Sequence, residues 1–252
     1  MIITSDLGGV GRVPVRRDGC RLVASIDVEW TKNYKVKNGN VPFCWSVIWL
    51  QVNDDAGTRL PRGFAFTSAY VTGTSETQEL IAGADVQVAA ILAHADMIIG
   101  HQVSSDLAVL RNASSESLPA VDELRARWHS RREPGGGPVV VDSRYDAGGI
   151  LRGASRRLVD VCTELDMDVT QPELARTSMT ALHRGWLEAA DTSARERITV
   201  LNLRHSLSAG YVALRSAGLG WWGTPLNVNR ILDRQLGGVF DWLASPVFRG
   251  LL

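Results

Sequence analysis

The chain has 252 residues, 45% of them hydrophobic, with 27 basic and 27 acidic side chains. That length fits one large domain, or one domain with an appendage, and the apolar fraction can bury a sizeable core. A formal net charge of zero excludes a histone-like basic surface but not a local nucleic-acid groove.

Leu22 to Glu29 reads as the first strand. Phe43 to Val52 (FCWSVIWLQV), with Trp45, Val47 and Trp49 alternating, reads as the second. A Lys- and Asn-rich loop containing Gly39 joins them. The turn signal Asn53-Asp54-Asp55-Ala56-Gly57 leads into a third strand, Gly63 to Val71, completing an antiparallel meander. Ser75 to His94 then takes helical spacing, with Leu80, Ile81, Ala84, Val88 and Ile91 on one side. Met97 to Gly100 is a short buried strand, and Ser104-Ser105-Asp106 opens another helix. Leu118 to Arg132 is helical, Glu133 to Pro138 is a break, and Val139 to Asp142 is apolar as expected of a strand covered on both faces. From Ser155 the pattern is helical, with Pro172 separating one helix from another over Leu174 to Ala189. Ser193-Ala-Arg-Glu196 has capping-box spacing and opens a helix to about Ala217, closed by Gly218. A last helix is expected over Asn227 to Leu243, before Pro246.

Three strands, then alternating helices and strands, then helices alone, predict a mixed-sheet α/β domain. Residues 1–217 form it, and 218–252 are a helical C-terminal extension packed on it. Three scattered cysteines lack zinc-motif spacing and make no even disulfide set, which points to a reducing compartment. No run approaches the roughly 18 apolar residues of a membrane span, and Met1 to Arg17 lacks a basic-then-apolar leader. The expectation is a cytoplasmic protein with no membrane association.

Asp27 and Glu29 sit two apart at the end of an apolar run, so on a strand they share one face. Paired carboxylates repel unless a cation neutralises them, and oxygen ligands suit Mg²⁺ or Mn²⁺. The alternative is a strand end in contact with water. Asp106 sits in the first turn of a helix after Gly100-His101-Gln102, where a carboxylate also suits the positive helix terminus.

Asp27-x-Glu29, then Gly100-His101-Gln102-x-x-x-Asp106, then the late capped helix together resemble the DEDD-type 3′–5′ exonuclease superfamily. Val141-Asp142-Ser143 and Ser155-x-x-Leu158-Val159-Asp160-Val161-Cys162-x-x-Leu165 resemble further segments of it, and the likeness covers about 21–217. It implies a ribonuclease-H-like fold with a five-stranded mixed sheet, an antiparallel meander followed by parallel strands, flanked by helices. It also implies hydrolysis of phosphodiester bonds at 3′ ends of DNA or RNA, with Mg²⁺ or Mn²⁺ on Asp27, Glu29 and Asp106. Trp30, His101 and Asn202 are candidate substrate contacts, and Trp30 to Tyr34 a lip over the cleft.

The family's fourth acid has no match. Either His205 is the catalytic base and Gly210 stands where the acid belongs, or His205 replaces the acid and Leu201 stands where a Tyr belongs. Glu196 is out of phase with His205 by about half a turn. Asp233 or Asp241 could reach in from the tail. The alternative to an exonuclease is therefore a catalytically impaired module that binds nucleic acid, or a protein partner through the C-terminal extension. The arginine clusters at 125–132 and 152–157 are read as solvated faces, with phosphate contact as the alternative. His94, His129 and His183 are read as surface or packing residues.

Overall fold

Two long strands with buried side chains on both faces organise the molecule. The computed structural model describes residues 1–32, 35, 37, 39–53, 59–171 and 177–252. Strands β1 (Ile2–Ser5), β2 (Cys20–Thr31), β3 (Val41–Asn53), β4 (Ala65–Tyr70), β5 (Met97–Gly100) and β6 (Val139–Asp142) make one six-stranded mixed sheet in the order β1-β4-β3-β2-β5-β6. β2, β3 and β4 form the antiparallel meander, and β5 and β6 run parallel to β2.

The fold is thus α/β with helices on both faces, and the sheet has six strands where five were expected. The added strand, β1, pairs antiparallel with β4. Its four residues are too few for a period to show in sequence. The turn signal 54–57, Pro172 and Leu174 lie outside the described residues, as do Asn33 and Tyr34 of the expected lip.

Alternation along the strands creates two cores. On one face Leu22, Ala24, Ile26 and Val28 of β2, with Trp45, Val47 and Trp49 of β3, pack under α1 (Thr77–His94), α2 (Val103–Ala113) and α3 (Pro119–Ser130). On the other, Val23, Ile48, Leu50 and Val52 pack under α4 (Leu158–Glu164) and α6 (Thr192–Ser216). A helix α5 (Met179–Ala189) precedes α6 and packs against it.

α6 lies close to the sheet because its facing side chains are small: Ser206, Ala209, Gly210 and Ala213. Ser25 Oγ donates to the Ser206 carbonyl at 2.6 Å, and the Ser46 and Ser206 hydroxyls are 2.8 Å apart. A Cβ on Gly210 would meet Leu50 Cδ1 at 3.3 Å and Ser25 Cβ at 3.6 Å.

The start of α6 departs from expectation. Asp191 is the cap, its side chain accepting from the Ala194 amide at 3.0 Å. Ser193 is already inside the helix. Glu196, expected to complete a capping box, accepts instead from the Trp242 amide at 2.8 Å, tying the C-terminal segment to α6. Tertiary contact has claimed the carboxylate.

The expected last helix is also shorter. α7 (Val228–Leu236) ends at Gly237, and a 3-10 turn (Asp241–Ala244) and α8 (Pro246–Arg249) follow. A Cβ on Gly237 would come within 2.6 Å of the Asp233 carbonyl, so the chain turns there on a glycine pair. Two short strands, β7 (Met167–Asp168) and β8 (Leu226–Asn227), pair in parallel and anchor the tail. Val228, Leu232, Phe240 and Phe248 of the tail belong to the same apolar cluster as β3 and α6. No helix among the described residues is long and apolar enough to cross a membrane.

Removing the true cap should matter more than removing the expected one. Asp191→Ala is expected to lower unfolding free energy by ~1 kcal/mol in urea melts, the typical worth of an N-cap. Ser193→Ala is expected to change it by less than about half of that, and equal effects would contradict the assignment.

Candidate functional site

β2 outruns its parallel neighbour. β5 pairs with it only as far as Ser25–Ile99, so residues 26–29 extend past the end of β5. Next to this extension the chain turns into α2 through Gln102, whose φ of 66° is left-handed, an uncommon conformation for a residue with a side chain. Gly100 is required here because a Cβ would stand 2.6 Å from Val103 Cβ and 3.3 Å from the Ile26 carbonyl.

Asp142, at the end of β6 and fully buried, holds the turn together. Its carboxylate accepts from the amides of Gln102 (2.8 Å), Val103 (3.1 Å) and Arg144 (3.1 Å) and from the Trp128 indole (2.9 Å). Asp142 therefore caps α2 and supports the site without entering it. Burial raises its pKa, opposed by these hydrogen bonds.

The turn aims Asp106 at β2. Its carboxyl accepts from the Val28 amide, a group that no strand satisfies beyond the end of β5. The side chain is buried, and Oδ2 has no hydrogen-bond partner among the described residues. Its pKa stands well above the usual carboxylate range because burial, and then the fields of Asp27, Glu29 and Asp142, disfavour the charge.

Asp27 and Glu29 point to the α6 face of β2, as alternation requires. One ligand atom each from Asp27, Glu29 and His205 lie within 4.8 Å of one another. His205 Nδ1 is 3.2 Å from Glu29 Oε1 and 3.6 Å from Asp27 Oδ2. Burial alone would depress the imidazole, but hydrogen bonds and charge from the two carboxylates outweigh it and raise its pKa to about 10. Burial raises the pKa of Glu29, with His205 pulling it down and Asp27 pushing it up.

Asn202, one turn earlier on α6, donates its amide to Asp27 Oδ2 at 2.6 Å. Asn202 and His205, three residues apart, thus share one face of α6 toward the acidic pair. Two supporting residues carried no sequence signal. Cys44 Sγ lies 3.8 Å from Asn202 Oδ1, its thiol kept protonated by burial and by the nearby Glu29 and Asp27 charges. Gln171 Nε2 is 3.2 Å from His205 Nε2, a contact on the side of the ring away from the carboxylates.

Gly210 packs over Ser25 inside the core, one pleat down β2 from Asp27. His205 and Asn202 are thus the α6 residues beside the carboxylates, while position 210 faces Leu50 and Ser25. Asp233 is engaged by Arg249 at 3.0 Å. Neither it nor Asp241 lines the cleft.

The cleft over these groups has a volume of about 1110 Å³ and is bordered by Trp30, Lys32, His101, Ser105, Asn112 and Thr180. A bulge between Glu29 and Trp30 resets the pairing beside it. His101 closes the strand-to-helix turn: its Nδ1 is 2.9 Å from Ser143 Oγ and the ring also meets the Arg156 carbonyl. Burial, then the positive charges of His205 and Arg144, lower its pKa to about 4, so the ring is neutral.

Elsewhere, Arg127 pairs with Glu123, and Arg131 and Arg132 both pair with Asp146, so much of the first arginine cluster is tied into ion pairs. His94 and His129 are exposed. His183 is buried, stacked on Phe43 at 4.0 Å and hydrogen-bonded to the Tyr70 hydroxyl at 3.0 Å.

The donor set fits a divalent cation. Asp27, Glu29 and Asp106 share one cleft with the His205 imidazole, and one Asp106 carboxyl oxygen lacks a partner among the described residues. At 4.8 Å and an effective dielectric near 20, the Asp27 and Glu29 charges repel by ~3.5 kcal/mol. A scan against protein-family models finds no match for this chain, and a search of curated proteins finds none.

A cation held by this set should stabilise the fold by mass action. Adding Mn²⁺ to metal-free protein is expected to raise Tm by several degrees, with Mg²⁺ weaker because imidazole favours the transition metal. Asp27→Asn and Glu29→Gln should each abolish the shift, and an unchanged melting curve in both metals would refute the site.

Proposed function

We propose that the chain is a divalent-metal-dependent 3′–5′ exonuclease of ribonuclease-H-like fold, acting on single-stranded or 3′-ended DNA or RNA. One observation carries this reading. Asp27 and Glu29 from β2 and Asp106 from the first turn of α2, 77 residues later in the chain than Glu29, converge on one open cleft. The six-stranded mixed sheet, with its meander followed by parallel strands, supports it.

Asp27, Glu29 and His205 would hold the cation, with Asp106 facing them across the cleft. When bound, a divalent ion supplies Lewis-acid polarisation of the phosphate and a more acidic water. The protein's own groups do the rest. Exposed Lys32 meets phosphate at the mouth, and half-buried Trp30 offers a face on which a terminal base can stack. Asn202 keeps Asp27 in place, and Gln171 keeps His205 in place. His101 has both ring nitrogens engaged, so it shapes the turn and borders the substrate without moving a proton.

The placement of His205 favours a second reading. A cationic imidazole between Asp27 and Glu29 partly neutralises them, which suits a module that binds nucleic acid or a protein partner with little turnover.

A 5′-labelled oligonucleotide separates the two. With Mn²⁺, DNA or RNA should be shortened stepwise from its 3′ end, and Asp27→Asn or Asp106→Asn should slow this at least ~100-fold. Retained binding in EDTA with no shortening in either metal would favour the module.

His205→Asp should raise the Mg²⁺-supported rate by restoring an oxygen ligand. Gly210→Asp should instead lower Tm without gain of activity, since it buries a charge against Leu50. Activation by Gly210→Asp would reverse the assignment of His205.

A further inference from the structure

A second cleft, of about 480 Å³, lies at the other end of β3 from Asp27 and Glu29. Its floor is Trp49 and Gln51. The segment 14–17 forms one wall, residues 61–64 the opposite wall, and Gln235 of α7 closes a third side.

Both long walls are pinned. Gln51 Oε1 accepts from the Arg17 amide at 2.7 Å, and Gln51 Nε2 donates to the Val15 carbonyl at 3.0 Å. Across the cleft, the Tyr211 hydroxyl donates to the Pro61 carbonyl at 2.7 Å. The opening is therefore built into the fold by strand and helix side chains.

An unmet donor is buried beneath the floor. Trp49 is 1% exposed, and its indole N–H has no hydrogen-bond partner among the described residues. Trp45, four residues earlier on the same side of β3, donates to the Leu80 carbonyl at 3.0 Å. A buried indole N–H normally finds such an acceptor.

The rim is cationic. Arg17 and Arg62 border the cleft, are exposed, and pair with no carboxylate among the described residues. Arg62 and Arg234, the latter next to Gln235, both act on the Tyr211 hydroxyl, which places their charge around the same wall. Phe64 and Pro14 supply apolar contact beside them.

A concave site of this volume with cations at its rim and no acid lining it is complementary to an oxyanion on a small carbon body. Guanidinium groups bind phosphate and carboxylate in a planar, two-pronged way that a lysine cannot. We propose that this cleft binds a small organic anion, its phosphate or carboxylate held by Arg17 and Arg62 at the rim beside Trp49. The site is separate from the acidic cleft and does not depend on the function proposed for it.

Indole N–H signals of ¹⁵N-labelled full-length protein test this directly. The chain has eight tryptophans, and the signal lost in Trp49→Phe identifies Trp49. Inorganic phosphate and citrate are titrated separately in EDTA, which removes any contribution from a metal at the acidic cleft. The Trp49 signal should move saturably with at least one probe, with Kd below about 1 mM. Saturation by phosphate alone assigns a phosphomonoester, and by citrate alone a carboxylate. Arg17→Gln/Arg62→Gln, changed only at exposed positions, should weaken binding at least tenfold. A signal unmoved by either probe at tens of millimolar, or unchanged affinity in the double variant, overturns the proposal.

Discussion

The close approach of α6 to β2 and β3 is the constraint on which the rest of the arrangement depends. A helix can lie this near a sheet only where its facing side chains are small, and Ser206, Ala209 and Gly210 meet Ser25, Ser46 and Leu50 there. The hydroxyl contacts between Ser25, Ser46 and Ser206 fix the rotation of the helix about its own axis as well as its height. Asn202 and His205, at one turn and one residue before Ser206, are thereby delivered onto Asp27 and Glu29. A larger side chain at 206 would lift the helix, and both contacts would be lost together, because neither residue can reach the acids from a displaced backbone.

Around that crossing the acids divide into two kinds. Asp142 is surrounded by four N–H donors and is satisfied as an anion in the interior. Asp106 has the Val28 amide and an oxygen with no partner, while facing two other carboxylates. Both are buried aspartates within one turn-and-strand assembly, and both are pushed toward protonation by burial. Donors separate them: Asp142 has four, while Asp106 keeps one oxygen unpartnered among the described residues.

Where the sequence was legible, its signals were local. Period-2 alternation put Asp27 and Glu29 on one face, and the apolar run at 139–142 matched the bounds of β6, although β6 is an edge strand with Val139 exposed and not a strand covered on both faces. Asp106 joined them through spacing from Gly100, which the structure explains by the tight Gly100–Val103 approach. What escaped was decided by distant partners. Glu196 had the spacing of a capping box, yet an amide 46 residues away took its carboxylate. Asn202, Cys44 and Gln171 acquire their roles only because α6 and β3 come together. β1 was too short to announce itself, and the Gly237-Gly238 break was hidden inside an otherwise helical pattern.

On the proposed reading His205 stands where a fourth acid would, which changes the charge the cleft can balance. Three ionised carboxylates and a neutral imidazole carry three negative charges, where four acids would carry four. On the proposed reading, one dication leaves the site at −1 and attractive to a second. Two dications leave it at +1, a state favoured once a phosphodiester, itself −1, is present. A site of this composition is therefore expected to hold its first ion in the free protein and its second with substrate. Until the first ion arrives, protonated His205 between Asp27 and Glu29 does part of the neutralising. The same imidazole must lose its proton to become a ligand, so ion binding and proton release at His205 are one coupled event.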